Sequence, residues 1–258
     1  MASPGRPLAL VTGASGGIGA DLARELAKDG HDLVLSARTV PAMEALADEL
    51  RAHGANSTVI AADLAKPGAA AELASCLEDQ GLQIDVLIAN AGLGGIGRFD
   101  QMDPQRISDM LMINVLALSE LTRLLLPGMV ARGRGKILLV ASTASFQPGP
   151  RMAVYFATKS YVLSLGEALT YELRGTGVTV TTLCPGATAT NFFKAAGANE
   201  NLMPAMRAPE VARVGYRALK TGRRVVITGM MNRILALGGR YGPHWLTLPA
   251  TAALMSRR

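Results

Sequence analysis

Three residues in the middle of this chain have the types and spacing to move a proton. Tyr155 and Lys159 stand four positions apart, and Ser142 lies thirteen positions before the tyrosine. Four positions is about one helical turn, so the two side chains share a face. A free phenol has a pKa of roughly 10 and is a poor base at neutral pH, whereas a nearby ammonium favours the phenolate. Read alone, a tyrosine and a lysine one turn apart are a common pair on a helix surface. Ser142 changes their weight. It follows the apolar run Lys136–Ala141, and ligands sit at the carboxyl ends of strands in open parallel sheets. A hydroxyl there can hydrogen-bond a carbonyl oxygen and stabilise the charge developing on it. Ser145 is a neighbouring hydroxyl that could be mistaken for it.

A second chemical feature is the loop Thr12-Gly13-Ala14-Ser15-Gly16-Gly17-Ile18-Gly19, between a predicted strand and a predicted helix. Glycines let backbone approach a pyrophosphate, and a helix N-terminus offers N–H donors and positive potential. Tight turns also need glycine, and the spacing differs from the commonest dinucleotide pattern of glycines at one, three and six. The context favours a dinucleotide site that includes Gly13, Ser15, Gly17, Ile18 and Gly19. An NAD site usually has an acid at the end of the second strand, for the ribose 2′-hydroxyl. Here that strand reads Leu33-Val34-Leu35-Ser36-Ala37-Arg38, and Asp32 stands at its other end. Arg38 can hold a 2′-phosphate by charge-assisted hydrogen bonds, with Ser15 and Ser36 as further donors. This favours NADP(H) over NAD(H), unless Arg38 is only a solvated loop residue.

These residues need a scaffold, and hydropathy patterning supplies one. Apolar runs predict strands at Leu8–Thr12, Asp32–Ala37, Ser57–Ala62, Asp85–Ala89, Lys136–Ala141, Val178–Leu183 and Arg224–Thr228. Helical spacing predicts helices at Gly17–Lys28, Pro41–His53, Gly68–Asp79, Pro104 to about Arg132, Met152–Arg174 and Val211–Lys220. Asp103 is the expected N-cap of the fourth, with Pro104 at its first position. The alternation predicts an α/β fold: a Rossmann-type, doubly wound parallel sheet of about seven strands with helices on both faces. A length of 258 residues suits one domain over 1–258. After Gly229 the rhythm fails, and 230–258 reads as a C-terminal extension with no firm assignment.

Composition agrees. Apolar residues make up 49%, charged residues 18% and aromatics 4%, which excludes disorder and calls for an aliphatic core. The net charge of +6 is uneven: residues 207–258 hold ten Lys/Arg and one acid, leaving residues 1–206 at −3. A basic tail admits nucleic acid or an anionic membrane, but no nucleic-acid motif is present, and a solvated surface is the plainer reading. Cys76 and Cys184 form neither a disulfide framework nor a metal-ligand pattern, so both are expected to be buried and no metal is expected. The N-terminus has no signal-peptide pattern. The most apolar run, near Val115–Val130, is broken by Glu120 and Arg123. A cytoplasmic protein is the expectation.

Taken together, these residues carry a family resemblance. Over residues 7–228 the chain resembles the short-chain dehydrogenase/reductase family, through Thr12-Gly13-xxx-Gly17-Ile18-Gly19, Asp63-Leu64, Asn90-Ala91-Gly92, Asn114, Ser142, Tyr155-xxx-Lys159 and Pro185-Gly186. The resemblance implies an oxidoreductase that interconverts a carbonyl and a secondary alcohol. Tyr155 would be its acid/base, and Lys159 would bind the nicotinamide ribose and lower the tyrosine pKa. Ser142 would orient the carbonyl, and Asn114 would hold a water linking Lys159 to solvent. Asp63, beside Leu64, would contact adenine. Asn90 would stabilise the central strands, next to Ala91 and Gly92. The turn from Pro185 and Gly186 through Thr188 to Thr190 would bind the carboxamide. One departure is Ala89 before Asn90, where the family often has a second asparagine. The stretches Arg132-Gly133-Arg134, Ser142–Pro150 and Asn191-Phe192-Phe193 are similar to a bacterial reductase branch.

The loops after strands four to six offer Leu93, Phe146, Met152, Phe192, Phe193 and Met203, so the expected substrate is an apolar ketone, acyl thioester or steroid-like ring. The family pattern also implies a homodimer or homotetramer. The basic tail has three open readings: an oligomer interface or cover for the substrate pocket, loose surface, or contact with an anionic membrane, the last the least favoured. The rival from another class is a non-catalytic dinucleotide sensor, a type that loses the tyrosine or the lysine; both are present here.

Overall fold

Seven short apolar runs pair in parallel because each is followed by a helix that returns the chain to the same edge. The computed structural model describes residues 5–197 and 205–255. Its main sheet contains β1 Leu8–Thr12, β2 Asp32–Ala37, β3 Ser57–Ala61, β4 Val86–Ala89, β5 Gly135–Val140, β6 Val178–Cys184 and β9 Val225–Ile227, in the order β3-β2-β1-β4-β5-β6-β9. All neighbours are parallel. A two-stranded parallel pair, β7 Thr188–Ala189 with β8 Met206–Arg207, stands apart. Strand order reverses between β1 and β4, which opens a crevice at their carboxyl ends.

Helices cover both faces. One core packs α1 Gly17–Lys28, α2 Val40–Ala52 and α8 Ala208–Lys220 through Leu22, Leu26, Met43, Leu50 and Leu219. The opposite core packs α3 Ala69–Asp79, α5 Leu118–Ala131 and α6 Ala153–Glu172 through Leu73, Leu77, Leu121 and Val162. Leu22 and Leu26 have no exposed surface. Truncating either to alanine costs about 2–5 kcal/mol by lost transfer energy plus cavity. The predicted elements are all present; β1, α1 and β2 match residue for residue, and the other ends shift by at most three residues, the usual scatter at frayed termini.

Three expectations are corrected. The helix from Pro104 is not uniform: α4 Pro104–Leu111 and α5 are joined by a π-helical turn, Met112–Ala117. Asp103 caps its start as expected, accepting from the Gln105 N–H at 2.9 Å. Within Pro104–Ala131, Glu120 and Arg123 do not prevent an 18-residue window from being apolar enough, by length and composition, to span a membrane. Here the run packs on α3 and α6 instead. The unassigned tail forms two helices, α9 Met230–Tyr241 and α10 His244–Leu254. Cys184 is buried, but Cys76 is only partly so and accepts from Gln80 Nε2 at 3.1 Å.

Candidate active site

The crevice becomes a cavity of about 890 Å³, near the top of the roughly 300–1,000 Å³ usual for ligand pockets. Its floor is set where β1 and β4 end. The Thr12 hydroxyl donates to the Ile88 carbonyl at 3.2 Å and accepts from the N–H groups of Asn90 and Ala91 at 3.0 and 3.1 Å. Asn90 Nδ2 returns to the carbonyls of Thr12 and Gly13 at 3.0 and 3.3 Å. These bonds lock the two strand ends together and hold the glycine loop. Gly13 sits at φ +67°, and a Cβ there would lie 2.7 Å from Asn90 Nδ2. Gly19 packs so tightly on the Gly13 carbonyl that no side chain fits between them.

The geometry suits a dinucleotide phosphate. α1 follows its N-cap Gly16 with no side-chain cap and no acid in its first turn, so its first N–H groups keep their capacity for an anion. A Cβ on Gly16 would meet nothing within 4 Å, so the cavity reaches the backbone there. Ser15, Gly17 and Ile18 line the same end, and Arg38, exposed just beyond β2, borders it. Ser36 does not reach the cavity; it is buried in β2. Among the described residues no cluster of three or more His, Cys, Asp or Glu could hold a metal ion.

At the other end, β5 and α6 bring Ser142, Tyr155 and Lys159 to one wall. The Ser142 hydroxyl donates to the Pro185 carbonyl at 3.5 Å and accepts from the Ala144 N–H at 3.1 Å. Ser145 does not line the cavity; its buried hydroxyl donates to the Lys159 carbonyl at 2.7 Å. Lys159 is buried, with Nζ donating to the Val140 carbonyl at 2.8 Å and lying 5.9 Å from the Tyr155 ring centroid. Burial pushes the tyrosine up to about 12, against a smaller pull from the Ser142 hydroxyl, and pushes the lysine down to about 8. The expected lowering of the tyrosine by the ammonium is therefore reversed, because desolvation opposes charge on both groups.

Asn114 lies behind this wall with no exposed surface. Its Oδ1 accepts from the Leu93 N–H and its Nδ2 donates to the Leu93 carbonyl, both at 2.8 Å, with a further 3.0 Å bond to Thr158 Oγ1. A Cβ on Gly92 would sit 3.3 Å from Asn114 Oδ1 and 3.4 Å from Lys159 Nζ, so both groups flank this glycine. Gly92, Ala91, Pro185, Gly186, Thr188 and Thr190 line the cavity. Gly19, Asp63, Leu64 and Asn114 do not. Leu64 is buried, and Asp63 accepts from the Ala65 N–H at 3.3 Å.

Leu93, Met152 and Phe192 line the substrate side, and the Phe192 ring stands 5.3 Å from that of Tyr155. Phe146 is core rather than lining. The Phe193 side chain and Met203 lie outside the described residues. Sequence reasoning missed the residues from the tail: Asn232, Leu235, Leu246, Thr251 and Met255 also line the cavity. Gln147 Nε2 donates to Thr251 Oγ1 at 3.0 Å and ties α10 to the loop after β5. The available signal was the spacing of Asn232, Ala236 and Gly239, the inward face of α9.

Comparison with known proteins gives this arrangement its class. The family model for short chain dehydrogenases matches residues 7–201. An uncharacterized oxidoreductase of Myxococcus xanthus is 36% identical over 198 residues, 75% of this chain and 78% of the relative. A short-chain dehydrogenase from Sphingobium yanoikuyae, solved with NADPH, superposes with a TM-score of 0.83 at 34% identity, covering 98% of this chain and 96% of that one. An alcohol dehydrogenase from Comamonas testosteroni specific for bulky-bulky ketones superposes at 0.78 with 32% identity, covering 98% and 94%. The chain belongs to the short-chain dehydrogenase family and is a nicotinamide-dependent oxidoreductase acting on CH–OH and C=O groups.

Proposed function

We propose that the chain is an NADP(H)-dependent reductase of apolar ketones, with Tyr155 as proton donor. The observation that carries this reading is that Ser142, Tyr155 and Lys159 line the same cavity as the glycine loop, with Lys159 Nζ 5.9 Å from the Tyr155 ring centroid. When bound, the nicotinamide supplies the hydride to the carbonyl carbon. The carbonyl oxygen accepts hydrogen bonds from Ser142 Oγ and Tyr155 Oη, and the phenolic proton moves to it as negative charge develops. Burial keeps the phenol protonated near neutral pH, the form a reduction uses. Lys159 binds the ribose, and it resupplies the proton along a path toward Asn114, which the shared contact at Gly92 supports.

The α1 N-terminus with Gly13, Ser15, Gly17 and Ile18 holds the pyrophosphate, and Gly19 supports the loop from behind by packing on the Gly13 carbonyl. Arg38 holds a 2′-phosphate. Asp63 and Leu64 stand at the adenine end, and Asn90, Ala91 and Gly92 at the central strand ends. Pro185, Gly186, Thr188 and Thr190 meet the carboxamide. The substrate side is walled by Leu93, Met152, Phe192 and Leu246, and the Comamonas relative's preference for bulky ketones points the same way. Exposed Leu111, Leu116 and Leu124 on the α4–α5 run and Tyr161 on α6 support a homo-oligomer.

The test is NADPH oxidation over a ketone panel with Tyr155→Phe beside the wild type. Bulky apolar ketones are expected to turn over, and the variant to lose roughly 10²–10⁴-fold in kcat, the usual worth of a positioned acid. A phenylalanine variant of full activity overturns the assignment.

A further inference from the structure

The two C-terminal helices carry eight of the fifteen large apolar side chains exposed in the described chain. α9 turns Asn232, Ala236 and Gly239 inward. Its outward arc holds Met230, Ile234, Leu237 and Tyr241, at positions i, i+4, i+7 and i+11, with Met231 and Leu235 beside them. Arg233 and Arg240, seven apart, run along one edge of that arc, and among the described residues neither pairs with a carboxylate. α10 adds Trp245, 77% exposed, and Leu246. Ile234, Leu235 and Leu246 are exposed and also line the cavity, so this apolar face forms the rim of its mouth.

We propose that the α9–α10 face docks on an anionic lipid bilayer, with the cavity mouth toward the lipid. A helix with an outward apolar arc flanked by arginine, with tyrosine and tryptophan beside it, has the chemistry of one lying in a membrane interface. Charge selects lipid over a second copy of this chain. After Glu210 the sequence contains no acid and eight further arginines and one lysine. Two copies joined through this face would bring Arg233 and Arg240 against like charge with no carboxylate from the tail to pair them. Anionic headgroups supply the missing counter-charge. The docking does not depend on the catalytic assignment.

Flotation of the full chain with phosphatidylcholine vesicles, with and without phosphatidylglycerol, tests it. Trp245 is the only tryptophan, so its emission reports this face alone. Binding is expected only with phosphatidylglycerol and should weaken with added salt. It should bring a blue shift of Trp245 and quenching by brominated lipid. Arg233→Gln/Arg240→Gln is expected to weaken binding about fivefold per charge removed. Leu237→Glu is expected to abolish it. None of these three residues lines the cavity, so ketone turnover in solution should persist. Absence of flotation, or equal binding to neutral vesicles unmoved by the arginine pair, overturns the proposal. So does a lipid-free emission that shifts with protein concentration, which would give the face to a second copy.

Discussion

Lys159 and Tyr155 are each pressed toward the neutral form by the same burial, and this has a measurable signature. The lysine sits at about 8 in the fold against an ordinary 10.5. Between about pH 8 and 10 the unfolded chain holds a proton that the folded chain has lost, so stability rises with pH in that window. Below pH 8 both states hold it and the penalty is constant. Tyr155 acts in the opposite sense, but only as pH passes its ordinary value of 10.0. Urea unfolding of wild type and Lys159→Met should therefore diverge, the wild type gaining up to about 1.4 kcal/mol per pH unit between 8 and 10. A pH-independent difference would refute a desolvated ammonium. Arg38 gives a second test. Arg38→Ala should raise KM for NADPH roughly 10–100-fold, the worth of a charge-assisted pair, and leave KM for NADH within a factor of about two. At this scale Ser142, Tyr155, Lys159 and Arg38 were legible from spacing and strand ends. The direction of the tyrosine shift was not, because sequence shows the ammonium's proximity and hides the depth at which both groups lie.

At the level of the elements, the strands were readable because parallel strands buried on both faces are continuous apolar runs. The tail was not. α9 reverses the usual pattern: its inward face is Asn232, Ala236 and Gly239, and its large apolar residues point outward. Apolar periodicity therefore marks the wrong face. The π turn was also invisible, since nothing in Met112–Ala117 departs from ordinary helical composition. Its purpose is visible only in three dimensions, where Asn114 satisfies both backbone groups of Leu93. Asn114→Leu strands that donor and acceptor in the interior. It should cost about 2–4 kcal/mol and lower Tm by roughly 5–15 °C in a thermal scan.

For the whole molecule, the sheet order explains why the site lies where it does: the strand order reverses between β1 and β4, and the loops that line the cavity leave from that edge. Two apolar surfaces remain outside the core, on α4–α5–α6 and on α9–α10, and they ask for different partners. The first carries Leu116 and Leu124, both nearly half exposed. If this face carries the proposed homo-oligomer contact, Leu116→Glu/Leu124→Glu should convert the assembly to a monomer in sedimentation equilibrium. A mass unchanged from wild type would move the contact elsewhere.

The π turn has a last consequence, for how the chain tolerates a change of length. A widened turn holds one residue more than an α-helical turn and keeps the helix on either side in phase. Loss of one residue within Met112–Ala117 would close it to ordinary helix and leave Leu118–Ala131 facing as it does now. The same loss a few residues later would swing the remainder of the helix by about 100° and turn core leucines to water. The six residues around Asn114 are thus a slack link in an otherwise geared rod, and the slack lies where the rod serves Leu93.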